Sequence, residues 1–204
     1  MANISFNPAL MTQPQNSFQL ETQGWIQGLT QDDPVSRMHL LTGIVASTVA
    51  QPVWGGMGVL LDTPQLSTDN RQGLSIGLAS TTQINGFTVF DQGINFIQTP
   101  GNTVPTVTAG MNAPVYAFGS KARVPVPLAS GVITSLEGVS IGTTPLYWDT
   151  ANFNLTLTKS ASTIALPNTV SILAVSANSR TISYNSTTGA VTWLGNQNAA
   201  LLVL

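Results

Sequence analysis

The sequence predicts a mainly β fold, a β-sandwich or β-barrel of jelly-roll type, with an extended N-terminal arm. Three observations predict it. Turn-forming pairs recur at short intervals, from Gly55-Gly56 through Asn85-Gly86, Gln92-Gly93, Pro100-Gly101-Asn102 and Ala109-Gly110 to Gly131. That punctuation suits many short strands, not strands alternating with helices. Between the turns, apolar and polar residues alternate with the period of a half-buried strand. The opening segment differs from both: Asn3 to Thr30 is rich in Gln, Asn, Pro and Gly and carries only isolated large apolar residues.

Residues 1–33 read as the arm. A segment with so few apolar residues makes no core of its own. It either stays loose or lies across another surface, with Phe6, Phe18, Trp25 and Ile26 as anchors. A short helix is expected over 34–42. Asp33 suits the N-cap, Pro34 the first helical position, Asp32 the positive end of the dipole, and Gly43 the exit. Ile44 to Val53 competes with it, being β-branched and strand-like.

A first β-region spans 34–130. Trp54-Gly55-Gly56-Met57-Gly58 reads as a tight turn or bulge; it lacks the Lys and Ser/Thr of a phosphate-binding loop. Phe87 and Val89 flank Thr88, and Ile94 and Phe96 flank Asn95, which sets Thr88 and Asn95 on a hydrated face. Pro125 and Pro127 straddle Val126. Proline donates nothing to a ladder, so this is an edge strand or a crossing between lobes. Gly131 to Thr144 is a softer stretch and marks a lobe boundary, giving a C-terminal β-region over 131–204. Within it Phe153 to Thr158 alternates strictly. Arg180–Tyr184 and Val191–Leu194 form a hairpin around Asn185–Gly189, with Ile182, Tyr184, Val191 and Trp193 on one face. Ala199 to Leu204 reads as a final strand.

Charge narrows the function. Charged residues make up 7% of the chain, against roughly 25% in an ordinary soluble domain. There is one His and no Cys, so thiolate metal sites and disulfides are excluded. The formal net charge of −2, with scattered Lys and Arg, argues against nucleic acid as a partner. Lys121 and Arg123 make at most one small positive spot. No stretch approaches the ~20 uninterrupted apolar residues of a membrane helix, and the start lacks the basic and apolar regions of a secretory leader. No membrane partner is expected. His39, among Met38, Leu40 and Leu41, reads as a structural or interface residue, and no Gly-x-Ser-x-Gly elbow is present. The carboxylates at Asp32, Asp33, Asp62 and Asp69 sit where caps and turns want them. The chain reads as a non-enzyme without a cofactor. Trp25, Trp54, Tyr147, Trp148 and Trp193 would stack on sugars if two or three shared an exposed groove; otherwise they are core.

Several stretches together resemble the cement or decoration proteins of tailed-bacteriophage capsids. They are Gln27-Gly28-Leu29 leading to Asp32-Asp33-Pro34 and Arg37, then Pro52 to Gly58, Gly86 to Gln92 and Lys121 to Val126. Tyr147-Trp148-Asp149 and Ser183 to Trp193 continue the likeness, which runs from about residue 20 to the end. The resemblance implies binding to the outside of an assembled shell, in contact with the major capsid protein, as a dimer or trimer. It implies location in the virion after assembly in the host cytoplasm. It carries over no catalytic or cofactor residue. With the arm, it nominates Phe6, Phe18, Trp25, Ile26, Arg37 and Trp54 as partner-binding residues. The alternative is another virion part, a head-fibre, tail or baseplate module that binds carbohydrate.

Overall fold

The computed structural model describes residues 24–31, 36–63, 73–90, 104–136 and 142–204. The protein is mainly β, and its centre is a closed five-stranded barrel. The barrel strands are β1 (Leu41–Val45), β2 (Gly58–Asp62), β3 (Leu74–Leu78), β4 (Gly86–Thr88) and β5 (Asn112–Ala117), in the order β1-β3-β2-β4-β5. β1 runs parallel to β3 and antiparallel to β5, which closes the ring and removes the open edges a short sheet would expose. A 3-10 helix, Ser36–His39, leads into β1 within the stretch expected to be helical.

Two three-stranded sheets complete the body. One has the order β10-β11-β6, built from β6 (Arg123–Pro127), β10 (Ser171–Asn185) and β11 (Ala190–Val203). The other has the order β8-β7-β9, from β7 (Tyr147–Asp149), β8 (Asn154–Thr156) and β9 (Thr163–Ala165). A single-turn helix, α1 (Val132–Leu136), follows β6. β6 pairs with β11 across the 130/131 point, so residues from both sequence regions share that sheet.

Two apolar clusters hold these parts. One fills the barrel, with Val45, Met57, Val59, Ile76 and Val115 fully buried. The other lies between the barrel wall and the two sheets and includes Phe87, Val124, Trp148, Leu155 and Leu202. Strand β5 feeds both: Ala113 and Val115 point to the first, Tyr116 to the second. The hairpin tip behaves as its alternation requires. Tyr184 pairs with Val191 and Ile182 with Trp193, and all four pack on the barrel cluster. The final strand is not separate from the hairpin; β11 runs unbroken to Val203 and gains β6 as a second partner only from Ala199 onward.

Some local expectations fail for physical reasons. β1 ends at Val45, and Ala46 to Val49 turn back through a Val49 N–H to Ala46 carbonyl bond. The β-branched Val49 and Val53 report burial, not an extended strand. Asn85-Gly86 is no turn. Gly86 opens β4 because a Cβ there would stand 2.2 Å from the Tyr116 carbonyl oxygen. Thr88 is buried, since both faces of β4 are covered. The alternating run at 153–158 contributes only Asn154–Thr156 to a strand, with Leu155 inward.

Candidate functional site

Residues 24–31, the described part of the arm, lie on this chain's own body. Trp25 N–H donates to Ser179 Oγ at 3.1 Å, and the Trp25 carbonyl accepts from Arg180 N–H at 2.7 Å. Ile26 bridges Arg180 in parallel, and Gln27 N–H donates to the Arg180 carbonyl. The segment then crosses to β6, where Gly28 N–H donates to the Pro125 carbonyl and Gln31 N–H to the Arg123 carbonyl. The edge prolines fit this arrangement. On that side β6 needs only to accept, so the missing proline N–H groups cost nothing.

Gln27 is the polar centre of the contact and is fully buried. Its Nε2 donates to the Gly55 carbonyl at 3.2 Å and its Oε1 accepts from Ile182 N–H at 2.8 Å. One side chain thus ties the arm to the barrel turn and to β10. The turn is close: Gly28, at φ +74°, leaves no room for a Cβ against Gly55, and Gly56 sits at φ +80°. Thr88 braces the same turn from below, its hydroxyl donating to the Trp54 carbonyl and accepting from Met57 N–H.

The remaining residues nominated from the sequence separate. Phe6 and Phe18 lie outside the described residues. Arg37 is exposed in the 3-10 helix. Trp54, expected to face a partner, is instead a core residue at 1% exposure. The Gly55-Gly56 turn folds the chain back and traps its indole against Phe153 and Tyr184, each with ring centroids 5.5 Å away. Trp148 is buried in the other cluster, edge-on to Phe87. Trp54 and Trp148 therefore share no exposed stacking platform.

A groove of about 550 Å³ opens beside Trp54, between the β7–β8 turn, the β10–β11 hairpin and Gln51. Among the described residues, none that lines it is Asp, Glu, Lys, Arg or His. Among the described residues, the buried side-chain atoms without a hydrogen-bond partner are Gln51 Nε2, Trp54 Nε1 and Asn154 Oδ1. All belong to residues that line this groove. Sequence reasoning had no means to find it, because its walls come from separate segments, around Gln51, Leu128, Asn152 and Tyr184.

The β7–β8 turn that forms one wall is built by Asp149. Its Oδ1 accepts from Ala151 N–H at 2.9 Å and Asn152 N–H at 3.2 Å, and its Oδ2 accepts from Asn152 Nδ2 at 2.7 Å. Partial burial pushes the carboxyl pKa up, but the hydrogen bonds from Asn152, Ala151 and Ser162 outweigh it and hold the pKa below 3.8. The turn delivers Phe153 at φ +52°, a left-handed conformation rare for a bulky residue. Among the described residues no group of three or more His, Cys, Asp or Glu is placed to hold a metal ion. No family model, curated protein or solved structure matches this chain.

Proposed function

We propose that this protein is a structural component of a tailed-bacteriophage particle that binds the outer capsid surface and cements major capsid protein subunits. The resemblance described above selects that partner. The observation that supports it in the fold is a charge-poor body that keeps Leu29, Met38, Leu41, Leu173 and Leu194 exposed. Met38 is 85% exposed, within the 3-10 helix that also carries Arg37. Apolar side chains on a surface with few charges favour association by burial and backbone hydrogen bonding, with little electrostatic steering. Repetition of the partner around a shell makes modest individual affinity sufficient, since oligomeric copies bind through several contacts at once.

The test is co-sedimentation of the purified protein with shells of the source phage that lack it. Saturable occupancy is expected. It should change little between about 0.1 and 1 M salt, over which the Debye length falls from about 10 to about 3 Å. Absence of co-sedimentation, or a steep loss with salt, overturns the reading.

A further inference from the structure

We propose that the groove beside Trp54 is a binding site for a neutral saccharide. The argument begins with the atoms that lack partners. Gln51 Nε2 and Trp54 Nε1 are donors, and Asn154 Oδ1 is an acceptor. Buried polar atoms are nearly always paired, so three unpaired ones on residues that line one groove call for a common explanation. A single ligand chemistry has to serve donors and an acceptor together. A carboxylate or phosphate serves only donors, and among the described residues the lining holds no cation to neutralise it. An ammonium serves only the acceptor, and among the described residues the lining holds no carboxylate. A hydroxyl both donates and accepts, and vicinal hydroxyls present both functions a few ångströms apart.

The rest of the groove suits the same ligand. Tyr184 and Phe153 supply aromatic surface against the carbon face of a sugar ring, and Asn152 and Gln197 add further uncharged polar groups. The volume of about 550 Å³ is that of a small-molecule site. Gln51 and Asn154 are half-buried. Their amides turn about broad terminal torsions, so each swings from the wall toward a ligand, and half a rotation exchanges its donor and acceptor ends. Phe153, in its left-handed conformation, is the kind of strained residue that persists where a site over-determines the backbone. This site is independent of capsid attachment, and either activity can fail without the other.

The experiment is NMR titration of the full 15N-labelled protein with maltose, cellobiose and lactose, and with glucose 6-phosphate and glucosamine as charged counterparts. The Trp54 indole N–H and the Gln51 and Asn154 side-chain amides are the reporters. At least one neutral disaccharide should shift these resonances saturably below ~10 mM, an affinity in the millimolar range, and the charged sugars should bind at least ~10-fold more weakly. Gln51→Met, which keeps the length and removes the amide, should weaken binding ~10-fold or more and leave the melting temperature equal or higher, because the lost N–H had no partner. Saturable shifts confined to other surfaces, no shift with any neutral sugar, or equal binding of the charged sugars overturns the proposal. So does a lower melting temperature for Gln51→Met with unchanged sugar binding, which makes the amide structural.

Discussion

Replacing Gln27 with methionine isolates what the buried amide contributes. Methionine keeps the length and nearly the volume, so packing against the Gly55-Gly56 turn survives while both side-chain hydrogen bonds vanish. The Gly55 carbonyl, bonded at 3.2 Å, and the Ile182 N–H, bonded at 2.8 Å, lose their partner on the same substitution. A buried backbone group left unpaired costs about 1–3 kcal/mol. Gly55 is buried and falls mid-range, whereas Ile182 is half-buried and falls at the low end. The sum is about 2–4 kcal/mol, a large share of the ~5–15 kcal/mol that a whole domain holds in reserve. In a chain of this length each kcal/mol moves the melting temperature by about 2–4 °C, so a fall of roughly 5–15 °C is expected. Urea unfolding followed by tryptophan fluorescence gives the free energy directly, with the slope unchanged if only stability has moved. Gln27→Ala should cost a further ~1–2 kcal/mol for the cavity. A Gln27→Met protein within about 0.5 kcal/mol of wild type, the usual scatter of neutral surface changes, would show that the amide holds nothing together.

Truncation separates the arm from the body, with a protein lacking residues 1–23 as the reference. Removing 1–31 should lower the midpoint sharply, because the backbone bonds to Arg180, Pro125 and Arg123 go with it; equal melting of the two truncations would refute the clamp. Gly58→Ala places a Cβ 2.6 Å from Trp148 Nε1 and 2.8 Å from Ile84 Cδ1, an overpacking expected to cost about 1–3 kcal/mol by urea denaturation. Asp149 has its pKa depressed in the fold, so its contribution is full above 3.8 and is lost as pH falls through the lower folded value; an acid titration should show that step in wild type and not in Asp149→Asn. Met38→Glu leaves the melting temperature unchanged, the side chain being 85% exposed, and should reduce occupancy of capsids in the co-sedimentation assay; full occupancy would remove Met38 from the interface.

What the sequence made legible was local. The period-two pattern placed Ile182, Tyr184, Val191 and Trp193 on one face, and the structure sets that face on the barrel cluster. The Gly55-Gly56 turn and the proline-marked edge of β6 were readable for the same reason: each depends on a dihedral or a missing donor that the residue itself carries. The unreadable parts depend on partners distant along the chain. Gln27 looks like solvated arm in sequence, yet its amide meets a carbonyl 28 residues away and an N–H 155 residues away. Thr88 fitted a half-exposed strand, because alternation assumes one wet face and β4 has none. Trp54 carried no mark distinguishing a core ring from an anchor; the fold decided it by bringing Phe153 and Tyr184 against it. The groove was hidden for the same reason, since Gln51, Asn154 and Tyr184 meet only after the barrel and the hairpin have docked.

Scarcity of charge and the proposed mode of assembly follow from one physical choice. Among the described residues, the buried polar side chains are Gln27, Thr88, Ser120, Thr163, Ser179 and Thr181, all uncharged. A hydroxyl or amide meets a stray backbone group at a small desolvation cost, whereas a buried ion demands a counter-ion and a network around it. Neutral side chains let an irregular β body close its turns and bulges wherever a backbone group needs a partner. Ser179 does this where β10 and β11 slip register between Ser176 and Thr181, its hydroxyl accepting the Trp25 N–H. The same composition on the outside leaves few ions to be stripped of water when another protein covers them. A surface of Thr, Asn and Leu therefore gains from burial at a broad interface and is little affected by salt, and the predicted salt-insensitivity of capsid attachment is the consequence that tests the choice as a whole.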